Sequence, residues 1–172
     1  MRTLLCTVAF AMALLGAAPA HAQFANRSLG LSLGYMDFHR TAGLDEALFL
    51  GIEASLYIEG GFEVVSLSKI ALPKDTTDPD NKRVVGLAPS IGLRYLFSEE
   101  SIRPYLGTDI SYLAVFKESV KNLVGVGPNL GVDFFTSDSV SVGLRAQYNF
   151  YLALNEKAQT SLALSAGAAA YF

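Results

Sequence analysis

What most limits the folds open to this chain is a period of two. From Arg27 onward, large apolar side chains alternate with small or polar ones in run after run. Successive side chains of a strand point to opposite faces, so each run reads as a strand with one apolar and one small, polar face. The first sets Leu29, Leu31, Leu33 and Tyr35 against Gly30, Ser32 and Gly34. The last sets Leu162, Leu164, Ala166, Ala168, Ala170 and Phe172 against Ser161, Ser165, Gly167 and Tyr171. Five more runs, beginning near Leu50, Val85, Leu106, Val124 and Val142, alternate as cleanly. An eighth, Phe62 to Ala71, does not: Phe62 and Val64 share one parity, Val65 and Leu67 the other. A bulge near Val64 is the expected remedy.

Composition excludes the main alternatives. The chain is 51% hydrophobic and 17% charged, against roughly 25% charged in a soluble domain. Mean hydropathy is +0.34, yet after the first twenty residues no apolar run approaches the roughly 18 of a membrane helix. A net charge of -3 excludes a basic nucleic-acid binder. One cysteine excludes a disulfide scaffold.

The opening differs in kind. Arg2, the apolar stretch Leu4 to Ala18 and the small-x-small Ala20-His21-Ala22 form the pattern of a cleaved signal peptide over residues 1–22. Cleavage there leaves residues 23–172 as one domain, without Cys6 and with His39 as its only histidine.

Eight strands of roughly 10 to 14 residues are long enough to cross a bilayer at a tilt. Tight turns are expected at Glu59-Gly60-Gly61, Ser98 to Ser101 and Thr136 to Ser139. Longer connections are expected at His39 to Ala47, Leu72 to Lys82, Lys117 to Lys121 and Ala153 to Thr160. The apolar face of the clean strands carries no charge, and aromatic residues gather at both ends. Tyr95, Phe97, Phe134 and Phe172 mark the turn end; Tyr35, Tyr112, Phe116, Tyr148 and Phe150 mark the loop end. That is the distribution of a wall facing lipid between two aromatic girdles. The other face then lines a narrow lumen. There Glu53, Arg94, Asp109, Asp133 and Arg145 must pair with one another, since isolated buried charges cost several kcal/mol. The expected fold is all-β: an eight-stranded antiparallel up-and-down transmembrane barrel, closed because hydrocarbon tolerates no sheet edge. Pro89 and Pro128 sit within strands and cannot donate to the ladder, so irregularities are expected at both.

Two segments repeat. Gly86-Leu-Ala-Pro-Ser-Ile-Gly-Leu-Arg-Tyr-Leu-Phe97 matches Gly125-Val-Gly-Pro-Asn-Leu-Gly-Val-Asp-Phe-Phe135 at an offset of 39 residues, the length of one hairpin with its connections. The chain ends on Ser165-Ala-Gly-Ala-Ala-Ala-Tyr-Phe172, in which Ser165, Gly167, Ala170 and Phe172 resemble the terminal insertion signal of bacterial outer-membrane barrels. Arg103-Pro-Tyr-Leu-Gly-Thr-Asp-Ile-Ser-Tyr112 is similar to a strand common in small barrels of the OmpA, OmpX and OmpW type. The resemblance implies turns in the periplasm, loops outside, and a last strand read by the barrel-assembly machinery. It further implies a monomer in the cell outer membrane, with membrane lipid and lipopolysaccharide as neighbours. No residues follow Phe172 for a peptidoglycan-binding domain, so the two-domain role of OmpA is not implied.

Chemistry is sparse. His39 sits near Thr41, Asp45, Thr77 and Asp78 in sequence or loop placement, but no motif of a lipid A-modifying enzyme surrounds it. Hydrolysis needs a base, a nucleophile and an orienting carboxylate together. The loop Lys74 to Lys82 offers Lys74, Lys82 and Arg83 to lipopolysaccharide phosphates, and Asp75, Asp78 and Asp80 to a cation without the spacing of an EF-hand. No enzyme, cofactor, metal or nucleic-acid function is expected. The expected role is structural or surface-interactive in the bacterial envelope. An OmpW-like conduit for small hydrophobic compounds is the alternative, and a lipid A-modifying enzyme centred on His39 a third reading.

Overall fold

A computed structural model describes residues 26–39, 43–117, 120–152 and 159–172; the signal peptide expected over 1–22 lies outside them. Eight strands follow in chain order: β1 (Arg27–Asp37), β2 (Leu44–Tyr57), β3 (Phe62–Asp75), β4 (Val85–Leu96), β5 (Ile102–Phe116), β6 (Val120–Ser137), β7 (Val140–Leu152) and β8 (Gln159–Tyr171). Each pairs antiparallel with the next, and β8 returns to β1 from Ser28↔Tyr171 to Asp37↔Leu162. The sheet is a closed barrel without edges. At the β2–β3 turn Gly60 and Gly61 take φ of 63° and 84°, the left-handed pair a tight hairpin needs.

The alternation resolves as an apolar wall facing outward. Leu31, Ile52, Ile110, Leu130 and Leu144 are each more than half exposed, while Arg94, Asp109 and Arg145 are buried inside. Such a wall is stable against acyl chains, not against water. Aromatic clusters ring its rims. Tyr95 stands edge-on to Phe62 at 5.2 Å and to Phe97 at 5.4 Å at the turn end, and Tyr148 to Phe150 at 4.9 Å at the loop end.

Strand β3 corrects the sequence reading. Its register runs unbroken from Phe62↔Tyr95 to Ala71↔Gly86 on β4, and through Leu56↔Val64 on β2, so no bulge lies at Val64. Instead Val65 and Leu67 point into the lumen, each 2% exposed, and Ser66 and Ser68 point out. Both lie level with polar lumen residues, Val65 opposite Ser55 and Leu67 opposite Glu53, so an apolar residue need not face lipid. Register irregularities fall elsewhere, between Leu44 and Ala47 and between Phe135 and Ser137. Strands β2 and β3 also claim residues expected in loops, because Leu44 pairs with Asp75 and Ala47 with Pro73.

The prolines interrupt one seam each. Pro89 pairs with Ser68 on β3, but the β4–β5 ladder skips from Leu87↔Ala114 to Ser90↔Ser111. Pro128 pairs with Thr108 on β5, but the β6–β7 ladder skips from Val126↔Phe150 to Asn129↔Gln147. The register is the same on both sides of each gap, so no residue is inserted; a rung is lost where a proline has no N–H to give.

Candidate functional site: the filled lumen

The inward faces of the strands stack in storeys. Nearest the turns is an ionic one. Arg94 of β4 donates from Nε to Glu63 Oε2 at 2.6 Å, and also lies 3.4 Å from Glu53 and 3.6 Å from Asp133. Arg145 of β7 reaches across to the other oxygen of Glu53 at 2.7 Å. Glu53 therefore bridges both guanidiniums. Tyr105 fills the space between them: the Arg94 guanidinium lies over its ring at 4.5 Å, and its hydroxyl accepts from Arg145 Nε at 3.3 Å. Ser55 extends the set by donating to Glu63.

The storey above is built of amides. Asp109 stands apart from the arginine pairs and accepts N–H bonds from Asn129 at 2.7 Å and Gln147 at 3.0 Å. Gln147 also donates to Asn149 at 3.1 Å and accepts from the Lys69 ammonium, which lies 5.5 Å over the Phe49 ring. Lys69 and Phe49 thus mark the upper boundary of the polar lumen. Beyond it Met36, Phe38, Phe49, Leu113, Val115, Leu123 and Tyr151 form one buried apolar cluster that fills the loop-end half.

A latch closes the top. Lys117, just past β5, donates to Asp75 Oδ1 at 2.7 Å and to the Gly43 carbonyl at 3.4 Å. Thr77 donates to Asp75 from its hydroxyl at 2.6 Å and its N–H at 2.9 Å. The Asp75–Lys117 pair thus ties three connections, the third through the Gly43 carbonyl. Asp75 lies three positions beyond Leu72, the last outward apolar residue of β3, and so clear of the lipid belt. Burial pushes its carboxyl up, but the Lys117 and Thr77 bonds outweigh this and hold it down at about 2.

Of the five lumen residues expected from sequence, the structure joins Glu53, Arg94, Asp133 and Arg145, and leaves Asp109 in the amide storey. Arg94 and Asp133 occupy matching places in the repeat and meet across the lumen. Sequence reading missed Glu63, Lys69 and Tyr105. Parity is the signal that finds Glu63 and Lys69, since they share the inward face of β3 with Val65 and Leu67. Tyr105 is hidden because aromatic residues were expected on the lipid side.

The other candidates scatter. His39 adopts a positive φ of 50°, sets Nδ1 at 3.3 Å from Asp37, and lies edge-on to Tyr148. Thr41 lies outside the described residues, and Thr77 is turned to Asp75. Lys82 pairs with Asp78 and Asp80, Lys74 with Glu46, and Arg83 donates to the Leu72 carbonyl at 2.7 Å. Among the described residues no three His, Cys, Asp or Glu side chains gather as a metal site. On β8, Ser165 pairs with Gly34 and Gly167 with Ser32, Ala170 with Leu29, and the Phe172 N–H donates to the Arg27 carbonyl at 3.0 Å.

No protein-family model and no curated protein matches the chain. Solved structures do. Neisserial surface protein A (NspA) is 18% identical with a TM-score of 0.60, over 85% of this chain and 96% of that one. The outer membrane protein OprG of Pseudomonas aeruginosa is 12% identical with a TM-score of 0.59, over 86% and 96%. Ail, the attachment invasion locus protein of Yersinia pestis, solved with the heparin analogue sucrose octasulfate, is 11% identical with a TM-score of 0.51, over 85% and 96%. In fold, this chain is a small eight-stranded transmembrane barrel of the kind found in bacterial outer membranes.

Proposed function

We propose that the protein is exported by a signal peptide over 1–22 and resides as a monomer in the outer membrane of a Gram-negative bacterium, in a structural or surface-interaction role. One observation carries this reading: the wall is built for lipid, while the lumen is occupied along its height by ion pairs, amides and apolar side chains. A barrel filled in this way offers its outer wall and its loop rim to the surroundings. Membrane lipid covers the wall. Lys74, Lys82 and Arg83 at the rim are the groups that meet lipopolysaccharide phosphates, the two lysines exchanging their present carboxylate partners for them. Ser165, Gly167, Ala170 and Phe172 are the positions by which the assembly machinery takes up β8.

The conduit reading draws on the lost rungs at Pro89 and Pro128. Against it stand the arginine–carboxylate pairs in the turn-end half of the lumen and the apolar cluster in the loop-end half. Reconstitution in planar bilayers distinguishes the two. The expected outcome is no stable conductance and no faster uptake of a small hydrophobic solute into vesicles. Conductance steps in the unaltered protein, or saturable uptake, would refute the closed reading. His39→Ala with unchanged lipid A mass spectra is expected on the same grounds, and a changed lipid A would revive the enzyme.

A further inference from the structure

Midway along β3 the outer wall turns polar. The residues this strand sends outward are Phe62, Val64, Ser66, Ser68, Ile70 and Leu72, so its two hydroxyls fall halfway between the rims. Both serines are exposed. Small or compact neighbours across the ladders leave them open: Ser66 pairs with Ala54 on β2, and Ser68 with Pro89 on β4. Neither hydroxyl has a hydrogen-bond partner among the described residues. Thr108, another outward hydroxyl, shows the usual remedy, since it donates to the Gly127 carbonyl at 3.2 Å. A hydroxyl in an apolar medium is costly until it finds a partner. A strand meant to face acyl chains alone gains nothing from two of them.

Depth decides what meets this pair. Headgroup oxygens lie at the level of the aromatic rims, out of reach of mid-strand residues, and acyl chains neither donate nor accept. The partner is therefore a protein surface inside the membrane, where small residues let backbones approach and serine hydroxyls bond across the contact. A hydroxyl both donates and accepts, so the patch is complementary to itself. A second copy, inserted in the same sense, presents it at the same depth. We infer that Ser66 and Ser68 form a self-association patch through which two barrels pair, β3 against β3, about a twofold axis along the membrane normal. With strands tilted by roughly 35–45°, the two β3 strands cross at roughly 70–90°, so mid-strand side chains alone touch. Such a crossing buries less than the roughly 800 Å² per partner of a stable complex. Pairing is therefore reversible and grows with density in the membrane. It rests on the lipid-facing wall, goes beyond the monomer proposed above, and leaves the single barrel as the folded unit.

The chain's one cysteine, Cys6, lies in the segment expected to be cleaved, so single cysteines report contacts cleanly. Purified mature barrel is folded into phosphatidylcholine vesicles at high protein density and oxidised with a membrane-permeant copper complex. A disulfide needs Cα atoms within about 7 Å. Ser66→Cys and Ser68→Cys are expected to link into dimers at least fivefold faster than Leu72→Cys, at the end of the same strand, and than Leu31→Cys and Leu144→Cys, on β1 and β7. The mobility of unboiled protein confirms that each variant is folded. Equal rates at all five positions overturn the inference, as does faster linkage at Leu72, Leu31 or Leu144. Energy transfer between barrels labelled at their N-termini gives a second reading with no cysteine in the patch. Ser66→Ala with Ser68→Ala is expected to lower transfer at least threefold at fixed density, and Ser66→Thr with Ser68→Thr to keep it. Unchanged transfer in the alanine variant overturns the inference too. Neither failure touches the envelope reading, which conductance and lipid A spectra test separately.

Discussion

Glu53→Gln isolates the weight carried by the ionic storey. Glutamine keeps the shape of the side chain and removes its charge. Arg94 loses least, because Glu63 at 2.6 Å and Asp133 at 3.6 Å remain. Arg145 loses the one carboxylate it contacts among the described residues, at 2.7 Å, and keeps the Tyr105 hydroxyl. Breaking a buried pair by removing one partner costs about 3–5 kcal/mol. Glu53 is 19% exposed, which allows some water to compensate, so the lower end, about 3 kcal/mol, is expected. Arg145→Met leaves Glu53, Glu63 and Asp133 to Arg94 alone, three carboxylates to one guanidinium, and a loss of about 3–5 kcal/mol is expected. The double variant Glu53→Leu with Arg145→Met should recover most of the loss, since a well-packed apolar pair often replaces a buried ion pair at no cost. The chain has no tryptophan, so unfolding in urea from lipid vesicles is best followed by the mobility shift of unboiled protein and by circular dichroism. If Glu53→Gln costs under 1 kcal/mol, the assignment of Glu53 as the bridge is wrong.

Three further outcomes follow from other parts of the structure. Ile52→Arg, on the outer wall opposite Leu31, should weaken folding into vesicles by about 2–4 kcal/mol if it lies near the bilayer midplane; a change within 0.5 kcal/mol contradicts a lipid-facing wall. Gly127→Ala should reduce the folded fraction sharply, because a Cβ there meets the Tyr148 carbonyl oxygen at 1.8 Å, whereas Gly86→Ala, whose nearest neighbour is Pro73 Cδ at 3.7 Å, should fold normally; equal yields contradict the packing of β6 on β7. The Asp75 latch should hold at all pH values above about 4 and loosen as pH falls through about 2, because its folded carboxyl titrates below the ordinary 3.8; an NMR titration of the Thr77 amide that moves near pH 4, or is unaltered by Asp75→Asn, contradicts it.

The barrel was legible in the chain because its two solvents differ so strongly. Lipid outside demands an unbroken apolar parity, and seven of eight strands obey it on their own. Strand β3 escapes because its inward Val65 and Leu67 sit among polar lumen residues, opposite Ser55 and Glu53, a placement that only the neighbouring strand reveals. Glu53, Arg94, Asp133 and Arg145 were legible as charges with nowhere to go but inward. Their partnership was not, since pairs such as Arg145 and Glu53 lie 92 positions apart and meet only through closure. The terminal motif and the repeat were visible as patterns, but that Arg94 and Asp133 are repeat-mates in contact needed coordinates.

The greasy cluster around Phe49 and Tyr151 lies beneath the loop end as a plug would. A molecule arriving there meets apolar side chains before the charged storey below. Whatever contacts a visitor makes on that side are then made by the rim, and not by the buried arginines and carboxylates.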